Sequence, residues 1–150
     1  MLFSTKAEYG VRVMAHLARH GGSQPVSLAA VAQAEGLPLA YLEHLVQRLR
    51  RAGLVESRRG AHGGYTLGRP AAEITMAEVV TALEGQIASI ECLTHDVKGE
   101  LVCAREAETS DPCPSKLLWT RVQGSIVRTL EDMTLADLTR TRPKGEKRAA

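Results

Sequence analysis

The sequence predicts a mainly α fold, a winged helix-turn-helix domain with a β-hairpin wing followed by a long C-terminal helix. Three observations lead there. Apolar residues recur at helical spacing in three successive segments before Gly53. A glycine-rich hairpin with arginines at its base follows directly, where a wing belongs. A second long amphipathic segment lies near the C-terminus, past a stretch of weak hydrophobic periodicity.

The elements follow in order. Thr5-Lys6-Ala7-Glu8 reads as a capping box opening a helix to about residue 19, with Tyr9, Val13, His16 and Leu17 on one face and Gly21-Gly22 as the stop. Ser27 caps a short helix, Leu28 to Ala34. Pro38 suits the first turn of a third helix, whose stripe is Leu39, Leu42, Leu45, Val46 and Leu49. Leu54 to Ser57 and Tyr65 to Leu67 are strand-like around Arg58-Arg59-Gly60-Ala61-His62-Gly63-Gly64. Thr75 caps a fourth helix ending at Gly85. Ser115 caps a long helix over about 116–132, carrying Trp119, Val122, Ile126, Leu130 and Met133 at three-four spacing. Leu118 and Val127 widen that face beyond what a small domain needs to cover, which suits a dimerisation helix as well as core packing. A short helix, Leu135 to Thr139, comes last. Three regions result: 1–70, the winged domain; 71–139, helix, cysteine loop and dimerisation helix; and 140–150, a charged tail expected to be disordered.

Charge is unevenly spread. Residues 1–70 hold nine Lys/Arg against four Asp/Glu, whereas residues 71–150 hold ten against thirteen. A basic half with a dense run of Arg48, Arg50, Arg51, Arg58 and Arg59 fits a nucleic-acid reader joined to an acidic sensor. The second helix of a helix-turn-helix is the one that enters the major groove. Tyr41, Glu43 and His44 lie in its first two turns. There Glu43 can accept from cytosine, His44 can donate to guanine and Tyr41 can reach phosphate. Lys6, Arg50 and Arg51 are expected at phosphates. No P-loop, dinucleotide fingerprint or nucleophile motif is present, so an enzyme is not expected. No apolar run is long enough to cross a bilayer and no signal-peptide pattern opens the chain, so a cytoplasmic location without membrane contact is expected.

All three cysteines, Cys92, Cys103 and Cys113, fall within one 22-residue stretch. An odd count in a reducing compartment argues against a disulfide framework. Gathered thiols suit an iron–sulfur cluster, a Cys₃His zinc site using His95, a redox-thiol switch, or three structural cysteines. On the residues alone, zinc and cluster rank equally.

An ordered series of short motifs adds to this: Tyr41-Leu42-Glu43, Leu49 to Val55, Arg59-Gly60, Gly63-Gly64-Tyr65, Arg69-Pro70, Glu73-Ile74-Thr75, Val79-Val80 and Met133 to Leu138. Over residues 1–139 the chain resembles the iron–sulfur-cluster transcription regulators typified by IscR, NsrR and RirA. The resemblance implies a homodimeric regulator that binds a palindromic operator in double-stranded DNA. It implies Cys92, Cys103 and Cys113 as ligands of an iron–sulfur cluster, 2Fe–2S ahead of 4Fe–4S. It makes Arg59, with Gly60, the minor-groove arginine of the wing. The cysteine gaps here are wider than in the best-known members, and Lys116 stands where one branch places a histidine ligand. Glu8 matches a position where another branch takes a carboxylate from the partner subunit, though its capping box competes for it. His95 is expected to face solvent. A cluster-free thiol-redox or zinc-binding repressor is the alternative.

Overall fold

The computed structural model describes residues 3–22, 24–87, 92–109 and 111–140. Seven helices and two small hairpins are described: α1 (Thr5–His20), α2 (Leu28–Glu35), α3 (Leu39–Arg51), β1 (Val55–Arg58), β2 (Gly64–Leu67), α4 (Met76–Glu84), β3 (Leu93–His95), β4 (Leu101–Cys103), α5 (Ala104–Thr109), α6 (Lys116–Glu131) and α7 (Leu135–Thr139). A short 3₁₀ turn, Ala71–Glu73, precedes α4.

The helix-turn-helix is α2 and α3, joined through Gly36 in the left-handed region at φ 65°, a conformation glycine adopts without the steric penalty of a Cβ. α3 buries Leu42, Leu45, Val46 and Leu49 and turns its remaining residues to solvent. β1 and β2 pair antiparallel with Val55 opposite Leu67 and Arg58 opposite Gly64. Val26, ahead of α2, bridges to Tyr65 and ties the wing to the helix-turn-helix. At the wing tip Gly60 sits at φ 116°, again a glycine conformation.

One core runs through the molecule. Val13, Met14 and Leu17 of α1 meet Leu42, Leu45 and Leu49 of α3, Val79 and Leu83 of α4, and Leu135 of α7, all within 2% of full burial. The core therefore continues past residue 70, because α4 and α7 pack on α1. Two capping boxes lie back to back where α4 and α7 begin. Thr75 with Glu78 and Thr134 with Asp137 each exchange side-chain and backbone bonds, and Thr75 bridges Thr134.

Three local expectations need correction. The first helix is capped by Ser4, not Thr5; the Ser4 side chain accepts from Lys6 N–H at 3.1 Å. Its reciprocal partner is not Glu8 but Glu84 of α4, which accepts from Ser4 N–H at 3.1 Å and Ala7 N–H at 3.3 Å. The distant carboxylate wins because it is pinned by packing of α4 on α1, and Glu8 is left exposed. Ser115 is helical at φ −90°, ψ −8° and makes no capping bond; its hydroxyl faces Cys113 instead, at 3.4 Å. The cysteine segment is not a loop throughout, since it contains β3, β4 and α5. The expected tail beyond residue 140 lies outside the described residues.

Candidate functional site

Two surfaces carry chemistry. The first is the exposed side of α3 with the wing. Glu43 and His44 are exposed on α3, where the buried stripe Leu42, Leu45, Val46 leaves them no choice but solvent. Lys6, Tyr41, His44, Gln47, Arg48 and Arg51 surround a cleft of about 360 Å³ between α1 and α3. Tyr41 is half-buried, and its ring meets Tyr9 of α1 edge-on with centroids 5.8 Å apart; packing on the first helix is its main contact. Gln47 joins this surface without having been singled out in the sequence, since a polar residue on a helix carries no local signal of its neighbours.

Several cations there are already engaged. Lys6 Nζ lies 3.2 Å from Glu84 Oε2, Arg48 donates to the Leu83 carbonyl at 3.1 Å, and Arg50 donates to Ser57 Oγ at 3.2 Å, fastening the end of α3 to β1. Two of these bonds converge on the C-terminal end of α4, from which the chain leaves for the cysteines. Burial would raise the Glu84 carboxyl, but the Ser4 hydrogen bonds and the Lys6 charge outweigh it and hold it below the ordinary range. Arg51, Arg59 and Gly60 are exposed. Arg59 stands at the start of the wing turn, past the last residue of β1.

The second surface is the thiol cluster. β3 and β4 pair antiparallel with Leu93 opposite Cys103 and His95 opposite Leu101, and Ala104 N–H donates to the Cys92 carbonyl at 2.9 Å. This hairpin brings Cys92 beside Cys103, eleven residues away in sequence. Cys103 is buried, Cys92 and Cys113 are half-buried, and all three are free thiols. Cys103 interacts with both others. Burial, then the neighbouring thiols, pushes the Cys92 thiol up. Cys113 is held below the ordinary thiol value, chiefly by hydrogen bonds from Ser115. Glu106 of α5 accepts Cys113 N–H at 2.9 Å and pairs with Lys116 Nζ. That pair lowers the carboxyl and raises the ammonium, so Lys116 keeps its protons and offers no lone pair. His95 does not simply face solvent: its Nδ1 is buried and unpartnered. Among the described residues no three His, Cys, Asp or Glu side chains close tightly enough to hold a single metal ion.

Glu8 stands apart, on the rim of an apolar groove of about 590 Å³ formed by Phe3, Val11, Val80 and Leu130. No described helix is long and apolar enough to cross a membrane.

A helix-turn-helix with a basic wing, in a chain that also gathers three thiols, defines a DNA-binding transcription regulator. The chain belongs to the Rrf2 family, described as iron-dependent transcriptional regulators, whose model matches residues 3–141. It is 39% identical over 140 residues to protein rrf2 of Nitratidesulfovibrio vulgaris, covering 93% of this chain and 88% of that protein. Among solved structures it is similar to T. potens IscR, with TM-score 0.74 and 35% identity over all of this chain and 94% of that one. It is equally similar to CymR, the global cysteine regulator of B. subtilis, with TM-score 0.73 and 37% identity over 93% of this chain and 96% of that one. Relatives named for different regulators resemble the chain to the same degree, so family membership does not select the signal.

Proposed function

We propose that the protein is a homodimeric regulator whose binding to a palindromic operator responds to an iron–sulfur cluster on Cys92, Cys103 and Cys113. The observation that carries the reading is the convergence of the three thiols, from a hairpin and the segment leading into α6, with Cys103 interacting with both partners. Thiolates are the donors such clusters use. A cluster of two or more irons is wider than one ion, so its ligands stand further apart than around a mononuclear metal. When bound, the cluster, 2Fe–2S ahead of 4Fe–4S, supplies a centre sensitive to iron supply, oxidants or nitric oxide. The protein's residues do the rest. Glu106 orders the Cys113 backbone, and α4 links the cysteine segment to Lys6 and Arg48 at the DNA-facing surface.

On the DNA side, Glu43 and His44 read base edges, while Lys6, Tyr41, Arg50 and Arg51 meet phosphates. Arg59, with Gly60 beside it, enters the minor groove. Arg59→Ala is expected to weaken operator binding by about 1–3 kcal/mol and to leave cluster content unchanged. Unchanged DNA affinity in a titration monitored by fluorescence anisotropy would remove the wing from the interface.

The Cys113 thiol, lowered by Ser115 and within reach of Cys103, favours a second reading, a cluster-free thiol switch. Anaerobic reconstitution followed by native mass spectrometry separates the two, because it counts irons, sulfides and subunits together. Dimers carrying iron and sulfide support the cluster. Dimers that carry neither, or that carry stoichiometric zinc, overturn it.

A further inference from the structure

Three cysteines leave a cluster one protein donor short of the usual four. Assigning that missing donor rests on the cluster reading.

Residues directly opposite in an antiparallel pair share a face of the sheet, as do residues two apart along one strand. Leu93, His95, Leu101 and Cys103 therefore stand on one face of the β3–β4 hairpin. It is the covered face, since Leu93 and Cys103 are 1% and 3% exposed. His95 and Cys103 are diagonal neighbours there. Such positions are about 7–8 Å apart, a separation that long side chains bridge. His95 Nδ1 is buried on this face without a hydrogen-bond partner. Leaving a buried polar atom unpaired is costly, and a bound ion is one of the standard partners for such an atom. The other buried unpartnered atom described, Gln123 Oε1, belongs to an amide whose nitrogen already donates to the Ile87 carbonyl.

Several neighbouring groups are already engaged. Lys116 Nζ is paired with Glu106, and the Glu106 carboxylate also holds Cys113 N–H. Asp96 Oδ1 accepts from Lys98 and Glu100 N–H, closing the hairpin turn. Imidazole is a suitable iron ligand beside thiolates.

We propose that the buried ring nitrogen of His95 is the fourth protein ligand of the cluster. It comes from the same chain as Cys92, Cys103 and Cys113, so each subunit carries a complete site.

The test uses full-length protein, reconstituted anaerobically and reduced by one electron, and reads nitrogen hyperfine coupling by pulsed EPR. Wild type and Glu8→Ala are expected to show strong coupling to one imidazole nitrogen. His95→Ala should lose it, together with much of the bound iron. His95→Cys, which replaces the imidazole with a thiolate, should keep the iron and lose the coupling. Coupling that persists in either His95 variant overturns the assignment. So does a wild-type cluster with no such coupling, and if Glu8→Ala then abolishes that cluster the fourth place belongs to Glu8. Wild type that takes up neither iron nor sulfide overturns the cluster reading and this inference with it.

Discussion

Glu35, the last residue of α2, gathers two residues of α1. Its carboxylate lies 3.0 Å from His16 Nδ1 and 3.2 Å from Arg12 Nε, while Arg12 also donates to its backbone carbonyl. Burial would raise the Glu35 carboxyl, but the bonds from His16 and Arg12 prevail and hold it below its ordinary value of 4.5. A carboxyl depressed in the folded state stabilises the fold above its unfolded value, and that contribution is lost as pH falls through the folded one. The protein should therefore lose stability below about pH 4.5. Glu35→Gln should flatten that limb and cost about 1–3 kcal/mol at neutral pH, as expected for a partly buried charged bond. Urea unfolding at a series of pH values measures both effects. An unchanged acid limb would place the linkage at other carboxylates, of which Glu78, Glu84 and Asp137 are also depressed.

At the scale of elements, α1 and α4 cross closely at Gly10, where an added Cβ would overlap the side chain of Leu83. Leu83 is fully buried and has little room to turn away. Gly10→Ala should therefore cost about 1–3 kcal/mol despite the better helix propensity of alanine, measured by chemical denaturation. A variant as stable as wild type would mean the crossing relaxes freely. Such contacts explain what the sequence could and could not convey. The helices and the wing were legible because their signals are local: the stripe Leu42, Leu45, Val46, Leu49, and the glycines around Arg59. The true cap of α1 was not, because Glu84 lies 80 residues from Ser4 and no spacing rule connects them. The β3–β4 hairpin was missed for a different reason. Each strand has three residues, too few for alternation to show. That the cysteines belong together was legible, but the burial of His95 depends on which face of that hairpin is covered.

At the scale of the molecule, α6 is long yet poorly covered. Gln123 is its only buried residue, while Leu117 and Leu118 are 64% and 57% exposed. The same helix lines a groove beside Phe3 with Ile126 and Leu130, and an exposed apolar helix of this kind is what a second copy would cover in the proposed dimer. Leu118→Glu should leave the protomer's fold intact, since an exposed position costs little, and should shift the protein toward monomer in light scattering. A dimer as strong as wild type would exclude this part of α6 from the interface. The pair Lys6–Glu84 has a further consequence, in the thermodynamics of counterions. Each phosphate neutralised by a free cation releases counterions and steepens the dependence of affinity on salt. Lys6 is already neutralised from within, so a phosphate that takes it must displace a carboxylate, and the exchange leaves no additional charge neutralised to release DNA's condensed cations. Freeing Lys6 with Glu84→Gln should steepen the log–log salt slope by about 1, so that the largest gain in affinity appears in dilute buffer. A slope identical to wild type would show that Glu84 does not hold Lys6 back, because Lys6 either meets no phosphate or meets it equally well in the wild type. If Lys6 meets a phosphate as proposed, Glu84 sets how strongly the ionic strength of the surroundings governs DNA affinity.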